Sequence, residues 1–310
     1  MNDFSPYGTD LFGDAIKPAN QSPVSARFIL PPFSVLNARD GEWQDRKRAW
    51  ASLGIKGELG RSAKSYNIHD WIETNREEMD LAGSVHGDGT SIFDPVICEL
   101  AYSWFTALGM QVLDPFAGGS VRGIVAGMLG RKYQGHELRP EQVAANLAQC
   151  ATIAPGAAIN YVTGDSTKTL HDAPMADFVF SCPPYGDLEV YSDSPEDLSA
   201  MEFPAFLESY RAIIKAACGK LRENRFACFV VGDFRDKRGH YRNFVSETIA
   251  AFLDAGLHLY NEAILVTSVG SACMRVTKQF DASRKFAKTH QNVLVFVKGD
   301  AKQATREITQ

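Results

Sequence analysis

No two of the six cysteines, Cys98, Cys150, Cys182, Cys218, Cys228 and Cys273, form a C-x-x-C pair. That argues against a zinc ribbon, and no metal is expected. No apolar run approaches the ~20 residues of a membrane helix. The opening Met1-Asn2-Asp3-Phe4-Ser5-Pro6 lacks the basic and apolar regions of a secretory signal. The expectation is a soluble cytoplasmic protein with reduced thiols. Positive charge is also short: Lys and Arg total 32 against 37 Asp and Glu, a net charge of −5. This argues against a general nucleic-acid coat but leaves room for one basic groove. There is no G-x-x-x-x-G-K-[ST], no G-x-G-x-x-G and no internal repeat, which weakens P-loop, dinucleotide and solenoid readings.

What is present is ordinary globular composition, 45% apolar and 22% charged, in 310 residues. A large α/β domain fits that length. Residues 1–30, rich in Asn, Ser, Pro and Gly, read as a flexible tail. Residues 31–87 read as an N-terminal extension ending in a hinge at Gly83, Gly87 and Gly89. Residues 88–300 read as one catalytic domain, and 301–310 as a C-terminal tail. Within the domain, helical patterns at 96–108, 120–129, 140–150, 203–221 and 244–255 alternate with short apolar strands at 110–113, 132–137, 160–163, 176–180 and 225–231. Asp94 is placed to cap the first helix, with Pro95 at its first position. Two last strands, 257–266 and 292–297, show no helical pattern between them, so antiparallel pairing at one edge is expected. The alternation predicts a mostly parallel sheet covered on both faces, a Rossmann-like architecture.

The first strand of that series runs into Asp114-Pro115-Phe116-Ala117-Gly118-Gly119-Ser120 and then a helix. Glycines allow close backbone approach to a ligand, and a helix N-terminus offers free N–H groups. Glu137 ends the second strand, where a carboxylate can take ribose hydroxyls. Asp165, followed by Ser166, ends the third and can accept from an adenine amine. Singly, each acid reads as a helix cap or a solvated loop residue. In order around one glycine turn, they favour an adenosine-containing ligand. The fourth strand ends in Ser181-Cys182-Pro183-Pro184-Tyr185. Two prolines present carbonyls without competing N–H groups, and Tyr185 offers a stacking face, which suits a planar base carrying an amino group.

These two motifs together resemble the S-adenosylmethionine-dependent DNA amino-methyltransferases, which act on adenine N6 or cytosine N4. That family carries D-P-F-x-G-x-G and [DNS]-P-P-[YFW]. The resemblance extends to Phe93-Asp94-Pro95-Val96, to Glu137 and to Asp165, and spans about residues 88–300. It implies a seven-stranded methyltransferase sheet with an antiparallel edge strand. It also implies S-adenosylmethionine as cofactor and DNA as partner. The implied cofactor residues are Phe93, Asp94, Pro95, Asp114 to Ser120, Glu137, Leu138, Asp165, Ser166 and Ser181; the implied catalytic residues are Cys182, Pro183, Pro184 and Tyr185. The segment Phe33-Ser34-Val35-Leu36, with Trp43-Gln44-Asp45-Arg46-Lys47, resembles phage- and prophage-encoded methylases. In the implied mechanism a flipped base enters beside the cofactor and its nitrogen attacks the methyl group directly. The chain departs from the pattern at Cys182. A thiol is a weak acceptor, and Ser181 or Asp187 stand nearby as substitutes. By size Cys is closest to the Ser form, associated with cytosine N4. The cofactor motifs also precede the catalytic motif.

Two basic stretches qualify as phosphate contacts. One holds Arg46, Lys47, Arg48, Lys56, Arg61 and Lys64, with Trp43 and Trp50 interleaved. The other holds Arg275, Lys278, Arg284, Lys285 and Lys288, and joins the last two strands. The loop Asp233-Phe234-Arg235-Asp236-Lys237-Arg238 can border the same groove. The alternative for each is a solvated face. Competing functions are methylation of RNA or of a protein glutamine, and DNA recognition with little catalysis.

Overall fold

The computed structural model describes residues 5, 7–8, 22–57, 92–186, 194–269 and 272–309, with Met274 and Arg275 as backbone only. The glycine hinge at 83–89, Arg61, Lys64 and Asp187 lie outside the described residues.

Eight strands form one sheet in the order β1-β7-β8-β6-β5-β2-β3-β4. They are β1 (Val35–Asn37), β2 (Gln111–Asp114), β3 (Lys132–Glu137), β4 (Ile159–Thr163), β5 (Ala176–Ser181), β6 (Leu221–Val231), β7 (His258–Val266) and β8 (His290–Lys298). Pairing is parallel except that β8 runs antiparallel to both β6 and β7. The expected Rossmann-like sheet is therefore present, with two differences. The antiparallel strand lies inside the sheet rather than at its edge. An eighth strand, β1 from the N-terminal extension, pairs with β7 from Val35–Ile264 to Asn37–Val266 and becomes the edge. From the parallel β2–β5 pair, strands β3 and β4 are added on one side and β6 on the other; this reversal of strand order is the switch point at which open α/β sheets bind ligands.

The helices are α1 (Pro23–Phe28), α2 (Gly41–Ala51), α3 (Pro95–Phe105), α4 (Val121–Met128), α5 (Pro140–Ile153), α6 (Ser166–Thr169), α7 (Phe203–Lys220), α8 (Phe244–Asp254), α9 (Ala272–Ser283) and α10 (Ala301–Ile308). Strand side chains alternate between two cores. Phe226, Cys228 and Val230 face the side of α2, α3, α4 and α5. Ala227, Phe229 and Val231 face α7 and α8. Burial on both faces explains why these strands read as unbroken apolar runs. Each buried Phe contributes about 1.5–3 kcal/mol.

Four helices fall where none was expected, one of them the single turn α6 after Asp165. The tail segment 22–28 holds α1, capped by Ser22 and tied down by Trp104 Nε1 donating to the Phe28 carbonyl at 2.7 Å. The C-terminal tail holds α10, capped by Asp300, with Ala304 buried against the core. Helix α9 joins β7 and β8; its residues are mostly exposed, so it shows no apolar stripe in the sequence.

The described part of the extension is welded to the domain. Glu99 of α3, 1% exposed, accepts Arg46 Nε at 2.9 Å and Nη2 at 3.0 Å, and Trp50 Nε1 at 2.9 Å. Trp43 and Trp50 are fully buried. A buried charge held by one partner is costly to strand. Arg46→Ala should lose about 3–5 kcal/mol of stability in urea unfolding, whereas Arg48→Ala, at an exposed pair with Asp45, should lose about 1 kcal/mol or less.

Candidate active site

A cleft of about 860 Å³ crosses the carboxyl ends of the parallel strands, within the size range of small-ligand sites. Its walls bring together Phe93, Asp94, Pro115, Phe116, Gly118, Gly119, Glu137, Leu138, Asp165 and Ser166 with Cys182, Pro183, Pro184 and Tyr185. Sequence-distant acids and the Pro-Pro-Tyr segment thus share one space.

The glycine turn is held from beneath. Asp114, with no exposure, accepts from Arg122 Nε at 2.5 Å, Tyr133 Oη at 2.8 Å, Ser181 Oγ at 2.5 Å and the Phe116 N–H at 3.1 Å. Arg122 also donates to the carbonyls of Phe116 (2.5 Å) and Ala117 (2.7 Å), and lies 4.7 Å over the Phe93 ring. Gly118 adopts φ +51° and its N–H donates to Glu137 Oε2 at 3.0 Å, while its carbonyl accepts from Asn146. A positive φ there favours glycine. Gly135 passes directly under the turn: a Cβ on it would stand 2.7 Å from that of Ala117.

Several predicted cofactor residues are therefore scaffold. Asp114, Ser181, Ala117, Ser120 and Pro95 do not line the cleft. Ser181 donates to Asp114, is fully buried and does not line the cleft, so it does not stand in for the acceptor missing at Cys182. Ser120 is buried at the start of α4 with no partner for its hydroxyl among the described residues. Asp94 caps α3 as expected through the Val96 N–H, and also accepts from Trp43 and Lys47, each at 3.2 Å. Asp165 is both a cleft wall and the cap of α6, accepting the Thr167 N–H at 2.9 Å.

At the Pro-Pro-Tyr segment, Tyr185 packs edge-on against Phe234 and Phe244, at 6.4 and 6.3 Å between centroids. Its hydroxyl accepts from Gln291 Nε2 at 2.5 Å and lies 3.9 Å from Cys182 Sγ. Burial, then the neighbouring Cys182, pushes the Tyr185 phenol well above its usual value. Gln291 also lines the cleft. Sequence reasoning missed it because β8 arrives from the opposite chain direction.

The first basic stretch mostly has structural partners: Arg46 binds Glu99, Lys47 binds Asp94, and the tryptophans are core. Lys47, Arg48 and Lys56 nonetheless border the cleft, together with Arg39. In the second stretch, Lys278 and Arg284 are exposed and Lys285 and Lys288 half-buried; the Arg275 side chain lies outside the described residues. Burial lowers the Lys288 ammonium, opposed by Asp233 and aided by Arg235.

His136 was also missed. It lines the cleft and is 1% exposed. Thr169 Oγ1 donates to the Asp165 carbonyl at 3.2 Å, so it receives a proton from His136 Nδ1 at 2.8 Å. Nε2 then accepts from Gln134 at 3.1 Å. The ring is neutral, and burial pulls its pKa down to about 4 against a minor opposing pull from Asp114.

No family model matches the chain, and no curated protein matches it. Solved structures resemble it at low identity. TrmN from Thermus thermophilus is 15% identical, with TM-score 0.45, over 66% of this chain and 49% of that one. The chain thus spans about half the length of that protein. A TehB-like SAM-dependent methyltransferase from Corynebacterium glutamicum is 16% identical, with TM-score 0.42, over 75% of this chain and all of its own. Magnesium protoporphyrin IX methyltransferase from Synechocystis, solved with bound SAM, is 12% identical, with TM-score 0.44, over 77% and 100%.

The folded pKa of His136 lies below the unfolded value near 6.5, so acid favours the unfolded chain between the two. This contribution is complete above pH ~6.5 and is lost as pH falls towards about 4. In urea unfolding, His136→Asn should shed that pH dependence, about 3 kcal/mol between pH 7 and pH 4. Equal slopes in both proteins would refute the assignment.

Proposed function

We propose that the protein is an S-adenosylmethionine-dependent methyltransferase acting on the exocyclic amine of a DNA base, adenine N6 or cytosine N4. The observation that carries this reading is a single cleft holding the Gly118-Gly119 turn, the Glu137 and Asp165 carboxylates and Cys182-Pro183-Pro184-Tyr185. The donor set fits the cofactor: carboxylates suit ribose hydroxyls and an adenine amine, and the turn brings bare backbone to the wall. When bound, the cofactor supplies an electrophilic sulfonium methyl group.

The chain's own residues do the rest. Glu137, its carboxylate oriented by Gly118 and Arg139, accepts from the ribose. Asp165 accepts from the adenine amine. Phe93, braced by Arg122, covers the methionine end. Pro183 offers its carbonyl to the target amine, and Tyr185, on the cleft wall, offers its ring to the base. Two acceptors on an exocyclic amine draw its lone pair out of conjugation and aim it, which is positioning and electrostatics rather than covalent catalysis. Cys182 is a weak second acceptor. The Gln291 carboxamide, anchored through its N–H to Tyr185, brings a stronger carbonyl acceptor to the same wall.

A second reading, DNA recognition with little transfer, draws on the commitment of Ser181 to Asp114 and the thiol at Cys182. One experiment separates the two: labelled S-adenosylmethionine is incubated with genomic DNA, followed by nucleoside analysis. N6-methyladenine or N4-methylcytosine is expected; no label in DNA would sink the leading reading.

Glu137→Ala should weaken cofactor binding about tenfold or more in calorimetry, as expected for charged hydrogen bonds. Gln291→Leu should leave cofactor affinity unchanged and lower kcat about 10- to 100-fold; an unaltered kcat would remove Gln291 from the reacting site.

A further inference from the structure

Beyond Tyr185 and Gln291 the cleft opens beside a run of paired cations and aromatic rings that the proposed function does not use. Lys288, Tyr185 and Gln291 converge on Gly232, whose absent Cβ would lie 3.4, 3.8 and 3.9 Å from them. From there Lys288 reaches Tyr241, its ammonium 5.9 Å from the ring centroid, and Arg235 covers the same ring at 3.8 Å. Tyr241 is 41% exposed. Lys285 lies against Gly239, in the turn between Arg235 and Tyr241. The next residue, Phe286, is 77% exposed and stacks at 5.8 Å and 21° on Phe280. Arg284 lies 5.2 Å over Phe280, and Lys278 is exposed on the same helix.

Single exposed apolar side chains need no explanation. A sequence of exposed rings in which Tyr241 and Phe280 each carry a guanidinium or ammonium, and Phe286 stacks on Phe280, is different. Phosphates are met by the cations, and bases stack on ring faces regardless of sequence. Such stacking is open only to bases that are not already stacked in a duplex. We propose that Lys288, Tyr241, Lys285 and Phe286 form a track that holds the unpaired nucleotides of single-stranded DNA next to the target base. This identity of the target base rests on the function proposed above; the track itself rests on the rings and cations. A protein that takes its base from a strand already open avoids the unstacking cost of flipping it from a duplex.

The test is fluorescence anisotropy with the full chain, a labelled DNA strand of about twenty nucleotides and its duplex, over a salt series. The strand should bind more tightly than the duplex. Phe286→Ala and Tyr241→Ala should each lower strand affinity about tenfold without changing the salt slope, and Phe286→Trp should retain it. Lys278→Ala should flatten the slope by about 0.7. Equal or tighter duplex binding, or wild-type affinity in both alanine variants, overturns the track. Methyl transfer to DNA with an unaltered Phe286→Ala variant would leave the proposed function standing and remove the track. Strand binding that depends on Phe286, without any transfer, would do the reverse.

Discussion

The carboxylate of Asp114 is the constraint on which the site depends. It ends β2, is wholly buried, and takes one donor each from α4, from β3, from Ser181 at the end of β5, and from its own turn. A buried charge is tolerable only when its lone pairs are met. Meeting them fixes the relative height of three strands and a helix at the switch point. Arg122 neutralises the carboxylate and with its remaining arm holds two carbonyls of the glycine turn. The turn is thus rigid before any ligand arrives, which lowers the ordering cost of binding.

The interior of the domain was readable because its strands are buried on both faces and its helices on one. The apolar runs at 226–231 and 178–180 and the Asp94-Pro95 start of α3 leave few alternatives. Elements held by few buried residues were not readable. Strand β1 has three residues, of which Leu36 alone is buried, and α9 exposes most of its surface. At the site, residue type and position at a strand end are the same for an acid that lines the cleft and one buried beneath it. Glu137 and Asp114 differ only in their three-dimensional partners. One signal did exist: Arg122 stands alone in the apolar run Val121-Arg122-Gly123-Ile124-Val125, and a cation in such a helix calls for a buried anion. The same reasoning applies to Glu99 within Val96-Ile97-Cys98-Glu99-Leu100, whose partner is Arg46.

The two basic stretches show how little a charge run says about its use. In one, the guanidinium and both indoles are interior, joining the extension to α3 through Glu99. In the other, the cations stay near the surface and sit beside rings. The difference lies in what surrounds them: acids on a facing helix in the first case, Tyr241, Phe280 and Phe286 in the second. The net charge of −5 is compatible with both, because buried pairs cancel and a local strip governs only its own vicinity.

Strand β8 is the last to be synthesised, yet it lies between β6 and β7 and supplies Gln291. Until it emerges from the ribosome, β6 lacks a partner on one side and β7 has no sheet to join except the short β1. Both present bare hydrogen-bonding edges during translation, the kind of surface that recruits other chains. Closure of the sheet and completion of the cleft are therefore a single late event. A chain interrupted before residue 290 would leave the glycine turn in place but carry an open edge down the middle of its largest layer.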